Sequence, residues 1–132
     1  MENVKTIVII SSKTVWEQAQ QVGEYTQSTL TSTLEDVGFI HCSFPNQTME
    51  IANRRYAHVT DALLLFVGVV KVKPSIKYEA ALSGREGTFP HVYGPLNVGA
   101  VYATVPLERD SDGVFIAPAQ LKALLALETD GI

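Results

Sequence analysis

The chain has one cysteine, Cys42, which cannot close an internal disulfide, so a disulfide-stapled scaffold is excluded. No run of lysines or arginines is present, and the net charge is −4. An extended nucleic-acid surface held by phosphate neutralisation is excluded with it, because that binding needs a clustered basic face. A small local basic pocket stays compatible with this charge. Long apolar runs are also missing. The longest, Ala62 to Val70, falls far below the roughly 20 residues that a helix needs to cross a bilayer, so no membrane association is expected. The opening MENVKT lacks the charged-then-apolar pattern of a secretory signal. These features together give the expectation of a cytoplasmic, reduced protein.

What is present suits one domain over residues 1–132, with 46% hydrophobic and 18% charged residues. Residues 4–10, VKTIVII, are β-branched and read as a first strand. Thr14 and Glu17 are spaced as a capping box, and Val15, Trp16, Ala19 and Val22 keep helical spacing until Gly23. The Ser/Thr-rich residues 26–36 show no period and read as a loop. GFIHCS, residues 38–43, reads as a short strand, and Pro45 suits the first turn of a helix continued by Met49, Ala52, Asn53 and Tyr56. ALLLFVGVVKV, from Ala62, is typical of a central strand buried on both faces. Short strands are expected at 76–79, 100–105 and 114–116, a mobile loop at 83–88, a turn at 110–113, and a last helix after Pro118 with Leu121, Leu124 and Leu125 on one side. Five or six strands with about three helices, not strictly alternating, predict an α+β domain.

Several polar residues are placed in ways that bear on chemistry. Strand alternation puts Phe39, His41 and Ser43 on one face and Ile40 and Cys42 on the other. His41 and Cys42 therefore do not converge on one metal, paired ligand spacing is absent, and no metal site is expected. For His41 two readings are open: a hydrogen-bonded structural histidine, or a polar group in a pocket. In the second, Ser43 at the head of the following helix would help to hold a phosphate or carboxylate. Glu79 and Tyr78 should point opposite ways, and a lone strand-end glutamate is ordinarily solvated. Arg54 and Arg55 complement the dipole of their helix, and Arg54 is the one assigned a turn toward the pocket. His58 reads as a surface residue. In FPHVYGP, residues 89–95, two prolines and a glycine make a stiff segment unsuited to helix or regular strand. His91 and Tyr93 should share one side of it and face His41, with Val92 turned to the core. An imidazole and a phenol presented together suit stacking, hydrogen bonding or proton transfer, although aromatics sealing a rigid corner would give the same pattern.

GFIHCS, the helix with ANRRY, an apolar strand, IKYE, FPHVYGPL and the later Pro106-Leu107 occur in an order that resembles the DUF952 family of small uncharacterised bacterial and plant proteins, over roughly residues 4–115. That family is similar in fold to the ADP-ribosyltransferase-like superfamily, which includes NAD-dependent toxins and RNA 2′-phosphotransferases. The resemblance implies a split, bent, mainly antiparallel sheet with a cleft that takes NAD or an ADP-ribose-like ligand. It maps the superfamily's second motif onto His41 and Ser43 and its late glutamate onto Glu79. The first strand departs from the pattern, with Val8-Ile9 where relatives carry a tyrosine plus His, Lys or Arg. An orthodox NAD-dependent ADP-ribosyl transfer would lack that anchor. The candidate site is therefore His41, Glu79 and His91 as acid/base or charge-stabilising groups, with Ser43, Arg54 and Tyr93 binding a nucleotide-like or phosphate-bearing small molecule. A non-catalytic module using the same cleft for a ligand or partner is the alternative.

Overall fold

The computed structural model describes residues 4–81, 84 and 86–130. In chain order the elements are β1 (Thr6–Ser12), α1 (Lys13–Val22), β2 (Glu24–Tyr25), α2 (Leu34–Val37), β3 (Ile40–His41), α3 (Pro45–Arg55) and β4 (Ala62–Gly68). There follow β5 (Ser75–Ala80), β6 (Thr88–Tyr93), β7 (Leu96–Asn97), β8 (Val101–Pro106), β9 (Glu108–Arg109), β10 (Phe115–Ile116) and α4 (Ala119–Asp130). This is an α+β fold with antiparallel sheets, as the sequence pattern predicts.

Two three-stranded sheets organise it, in the orders β1-β4-β8 and β3-β6-β5. They meet at one bridge, where the main chains of Val8 and Ser43 exchange two hydrogen bonds of 2.8 Å. The first sheet is apolar on both faces, which is why β1 and β4 read as unbroken hydrophobic runs. Ile7, Ile9, Leu65 and Val67 pack with Trp16, Tyr25, Ile40 and Val92 on one side. Val8, Ile10, Leu64 and Phe66 pack with Ala52, Tyr56, Phe115 and Leu121 on the other.

Several local expectations need correction. Ser12, not a Thr14–Glu17 box, caps α1: its hydroxyl accepts from the Val15 N–H at 3.1 Å, while the Thr14 hydroxyl donates to Asp61. Val22, expected on the apolar face, is exposed at the end of that helix. Residues 26–36 are not all loop, because Thr33 and Asp36 form a reciprocal capping box that starts α2. The strand expected at 38–43 contracts to Ile40–His41, and α2 raises the helix count from about three to four among the described residues. The turn at 110–113 joins β9 to β10 rather than β8 to a late strand. The loop expected at 83–88 lies in part outside the described residues.

The largest correction concerns FPHVYGP, whose first five residues belong to β6, the central strand of the second sheet. Pro90 survives there for a geometric reason. Its C=O accepts from the Cys42 N–H at 3.1 Å, just past the end of β3. A strand residue's N and C=O project toward the same edge, so the missing N–H faces a place where the ladder is already ending.

Candidate functional site

The second sheet brings the site together through register. His41 on β3 and Lys77 on β5 both lie opposite His91 on β6, and Glu79 lies opposite Phe89. Side-chain alternation then sends Ile40, Val92 and Ile76 to the first core and leaves the imidazoles on the other face. There the rings form a cluster. Phe39 stacks on His91 with centroids 4.0 Å apart, and His41 meets His91 edge-on at 5.5 Å.

His91 is 2% exposed and its Nδ1 lies 2.9 Å from Glu79 Oε1. The same carboxylate oxygen accepts from the Tyr93 hydroxyl at 2.5 Å. The Tyr93 hydrogen bond, followed by the His91 one, holds the Glu79 carboxyl below the usual carboxylate range, and the same contact pushes the Tyr93 phenol up. An ionised carboxylate only accepts, so His91 Nδ1 carries the hydrogen in this pair. Lys77 Nζ lies 4.6 Å from the centre of the Tyr93 ring, adding a cation beside the carboxylate cluster.

His41 is fixed differently. Its Nδ1 is 3.0 Å from the hydroxyl of Ser28, and that hydroxyl already donates its single hydrogen to the Phe39 carbonyl. The ring must therefore donate from Nδ1. Burial lowers the His41 pKa from its ordinary value, with His91 adding to the drop, the Ser28 main chain opposing it and Arg55 contributing a further lowering. Neutral His41 thus has its lone pair on Nε2. Among the described residues no buried side-chain nitrogen or oxygen lacks a partner, and neither Nε2 has one within hydrogen-bond distance. Both Nε2 atoms therefore reach open space.

That space is a cleft of about 450 Å³ lined by both histidines. Its apolar wall includes Val8 and Ile10 from β1, Ile51 from α3 and Tyr56, which caps the end of that helix. Arg55 and the Thr29–Thr31 segment contribute the polar part of the lining. A pocket of this size, mostly apolar with a few convergent polar groups, has the dimensions of a small-molecule site.

The residues singled out in the sequence fall into distinct positions. His41, Ser43 and His91 line the cleft. Neither Glu79 nor Tyr93 is among the lining residues: Glu79 is hydrogen-bonded to His91, and Tyr93 to Glu79 in turn. Ser43 is 2% exposed, and its hydroxyl is engaged by Thr48, whose own hydrogen goes to the Phe44 carbonyl. Arg54 points outward toward Glu50, 3.9 Å away, and Arg55 occupies the cleft position instead. The helical repeat explains the exchange: Glu50 and Arg54 form an outer i,i+4 stripe, whereas Ile51 and Arg55 form the stripe beside buried Ala52 and Tyr56. Ser28 gave no sequence signal, because it sits in a polar stretch without a period. His58 is exposed, and Cys42 is buried in the first core with its thiol pKa pushed up by that burial. Among the described residues no cluster of three His, Cys, Asp or Glu side chains is arranged to hold a metal ion. Nor is any helix long and apolar enough to cross a membrane.

The fold and this cavity define a class: a small α+β protein of two antiparallel three-stranded sheets, with a histidine-lined cleft beside the bridge between them. The chain belongs to the DUF952 family, described as a protein of unknown function, whose model matches residues 10–104. Crystal structures of protein CC0527 from Caulobacter crescentus, as such and as a double mutant, are similar to it with a TM-score of 0.75 at 30% identity. The similarity covers 89% of this chain and 98% of theirs. The solution NMR structure of CC0527 gives a TM-score of 0.69 at 31% identity, over 94% of this chain and 99% of that one. No curated protein matches the chain.

Proposed function

We propose that the cleft binds a phosphate-bearing, nucleotide-like small molecule and transfers a proton on it through His91. The observation that carries this reading is the chain Tyr93–Glu79–His91, which ends at an Nε2 open to a cleft that Arg55 also lines. A carboxylate behind an imidazole fixes the tautomer and stabilises the imidazolium that forms when Nε2 takes a proton. Tyr93 steadies the carboxylate in turn, so it serves as a positioning residue rather than as a stacking wall. Arg55 supplies a permanent cation for phosphate oxygens, and Ile10, Ile51 and Tyr56 offer an apolar surface to a base or sugar. In this reading Glu79 and His91 act as charge-stabilising and acid/base groups, and Arg55, which lines the cleft, holds the anion in place of Arg54.

One observation disfavours orthodox NAD-dependent ADP-ribosyl transfer. Val8, at the position where the ADP-ribosyltransferase-like pattern calls for a polar anchor, contributes an apolar side chain to the cleft. The same observation favours the second reading, a module that binds its ligand without turnover. Calorimetry with AMP, ADP-ribose and NAD tests the binding common to both. Affinity for AMP or ADP-ribose that falls at least tenfold in Arg55→Ala supports the cleft assignment. Equal affinity in Arg55→Ala, or no binding of any of the three, would sink it. A product assay run on the same mixtures separates enzyme from module.

A further inference from the structure

We infer that His41 and His91 act as a two-imidazole pair that cleaves a phosphodiester, His41 as general base and His91 as general acid. This rests on the reading of the cleft as a phosphate site and names the bond that is broken there. The observation behind it is the equivalence of the two rings. They come from directly opposed positions on neighbouring strands, their centroids are 5.5 Å apart, and each is anchored through Nδ1. Each therefore offers Nε2 to the same cavity. One proton-transfer group would suffice for a reaction with a good leaving group. Two are needed when a weak nucleophile must lose a proton while a poor leaving group, an alkoxide, gains one.

The anchors differ, and the difference assigns the roles. Ser28 fixes His41 through an uncharged hydroxyl, and Arg55 on α3 lies on the same cleft, so neutral imidazole is the favoured form. Glu79 fixes His91 through a carboxylate, which accepts the Nδ1 hydrogen and sets an anion, rather than a neutral hydroxyl, beside the ring. The other groups that face the pair are Tyr93 on β6 and Lys77 on β5, both turned to Glu79 or its hydroxyl partner, and Cys42 and Tyr56, both buried and uncharged near neutral pH.

The step balances without any further reagent. A water molecule gives a proton to His41 Nε2 as its oxygen forms a bond to phosphorus. The opposite P–O bond breaks, and the departing alkoxide takes the Nε2 proton of imidazolium His91. His41 ends charged and His91 neutral, the diester has become a monoester and an alcohol, and exchange with solvent restores both rings. Arg55 holds the non-bridging oxygens, where negative charge accumulates.

The test uses the full chain with adenosine 2′,3′-cyclic phosphate and bis(4-nitrophenyl) phosphate as diesters, and 4-nitrophenyl phosphate as the monoester control. Turnover of a diester but not the monoester is expected, with a bell-shaped pH profile of kcat/KM. His41→Asn and His91→Asn keep an N–H near the Nδ1 position, preserving the anchoring bonds while deleting Nε2. On the cyclic phosphate, which expels an alkoxide, each should fall about a hundredfold or more; on bis(4-nitrophenyl) phosphate, whose leaving group needs no proton, only His41→Asn should fall so far. His41→Asn should lose the acidic limb of the bell and His91→Asn the basic limb. Separately, ¹⁵N NMR of the histidine rings should show His41 protonated on Nδ1 and bare on Nε2. A bare Nδ1 on His41 overturns the assignment. So does an absence of diester cleavage by protein that still binds AMP, which leaves the binding reading of the cleft intact. Loss of both AMP binding and cleavage removes that reading as well.

Discussion

At the scale of single residues, the site turns on which nitrogen of each imidazole carries a hydrogen, and the Ser28 hydroxyl and the Glu79 carboxylate decide it. Burial lowers the His41 pKa below its ordinary 6.5, so the folded protein resists a proton that the unfolded chain accepts. The sign follows from linkage: the unfolded state binds more protons between the two values, so stability is complete above about 6.5 and is lost as pH falls toward the folded value. Thermal denaturation from pH 7.5 to 5.5 should show a falling Tm, and His41→Asn should flatten the slope; an unchanged slope contradicts the assignment. Glu79 is half-exposed, and its lowered pKa depends first on the Tyr93 hydroxyl. Tyr93→Phe deletes that donor while leaving His91 in place. The Glu79 carboxyl should then titrate closer to its ordinary 4.5 in a ¹³C-detected NMR titration. An unmoved titration would show that His91 alone orders the carboxylate.

At the scale of elements, the site is built by β6, and that strand also shows what the sequence could and could not tell. The face shared by His91, Tyr93 and His41 was legible, because period-two alternation holds wherever the chain is extended. That the segment is a central strand was not legible. Pro90 argues against a ladder unless its missing N–H happens to face a strand end, and only the register of β3 reveals that it does. Arg55 was hidden by a different ambiguity: two adjacent arginines differ by about 100° around a helix, and the inward stripe depends on the packing of α3. The end of β6 carries a sharper test. Gly94 has a φ of +152°, and a Cβ there would lie 2.9 Å from Cβ of Pro74. Gly94→Ala therefore meets both an unfavourable backbone region and a steric clash against a rigid ring. It should lower unfolding stability by about 1–3 kcal/mol in urea titration. Stability equal to that of the parent would mean that the Pro74 loop yields at no cost.

At the scale of the whole molecule, the distinctive feature is that one sheet serves two cores. Successive residues of β1 and β4 alternate between them, so Ile7 and Ile9 pack with Trp16 while Val8 and Ile10 pack with Leu121. Neither face can lose its partners without loosening the strands that the other face relies on. Leu121 on α4 lies beyond the residues matched by the family, yet it is fully buried. The C-terminal helix therefore completes the second core, and the wall of the cleft formed by Val8, Ile10 and Tyr56 belongs to that core too. Leu121→Ala should cost about 2–5 kcal/mol, the range for a large-to-small change at a buried site. Trp16, the single tryptophan, sits on the opposite side of the sheet and gives an independent optical signal. If the two cores unfold together, Trp16 fluorescence and far-UV circular dichroism will shift their denaturant midpoints by the same amount in the variant. A Trp16 midpoint left at the parent value, with only the dichroism shifted, would mean that the α4 side opens by itself. In that case the cleft wall would be the less stable half of its own site, and ligand would raise the dichroism midpoint while leaving that of Trp16 in place.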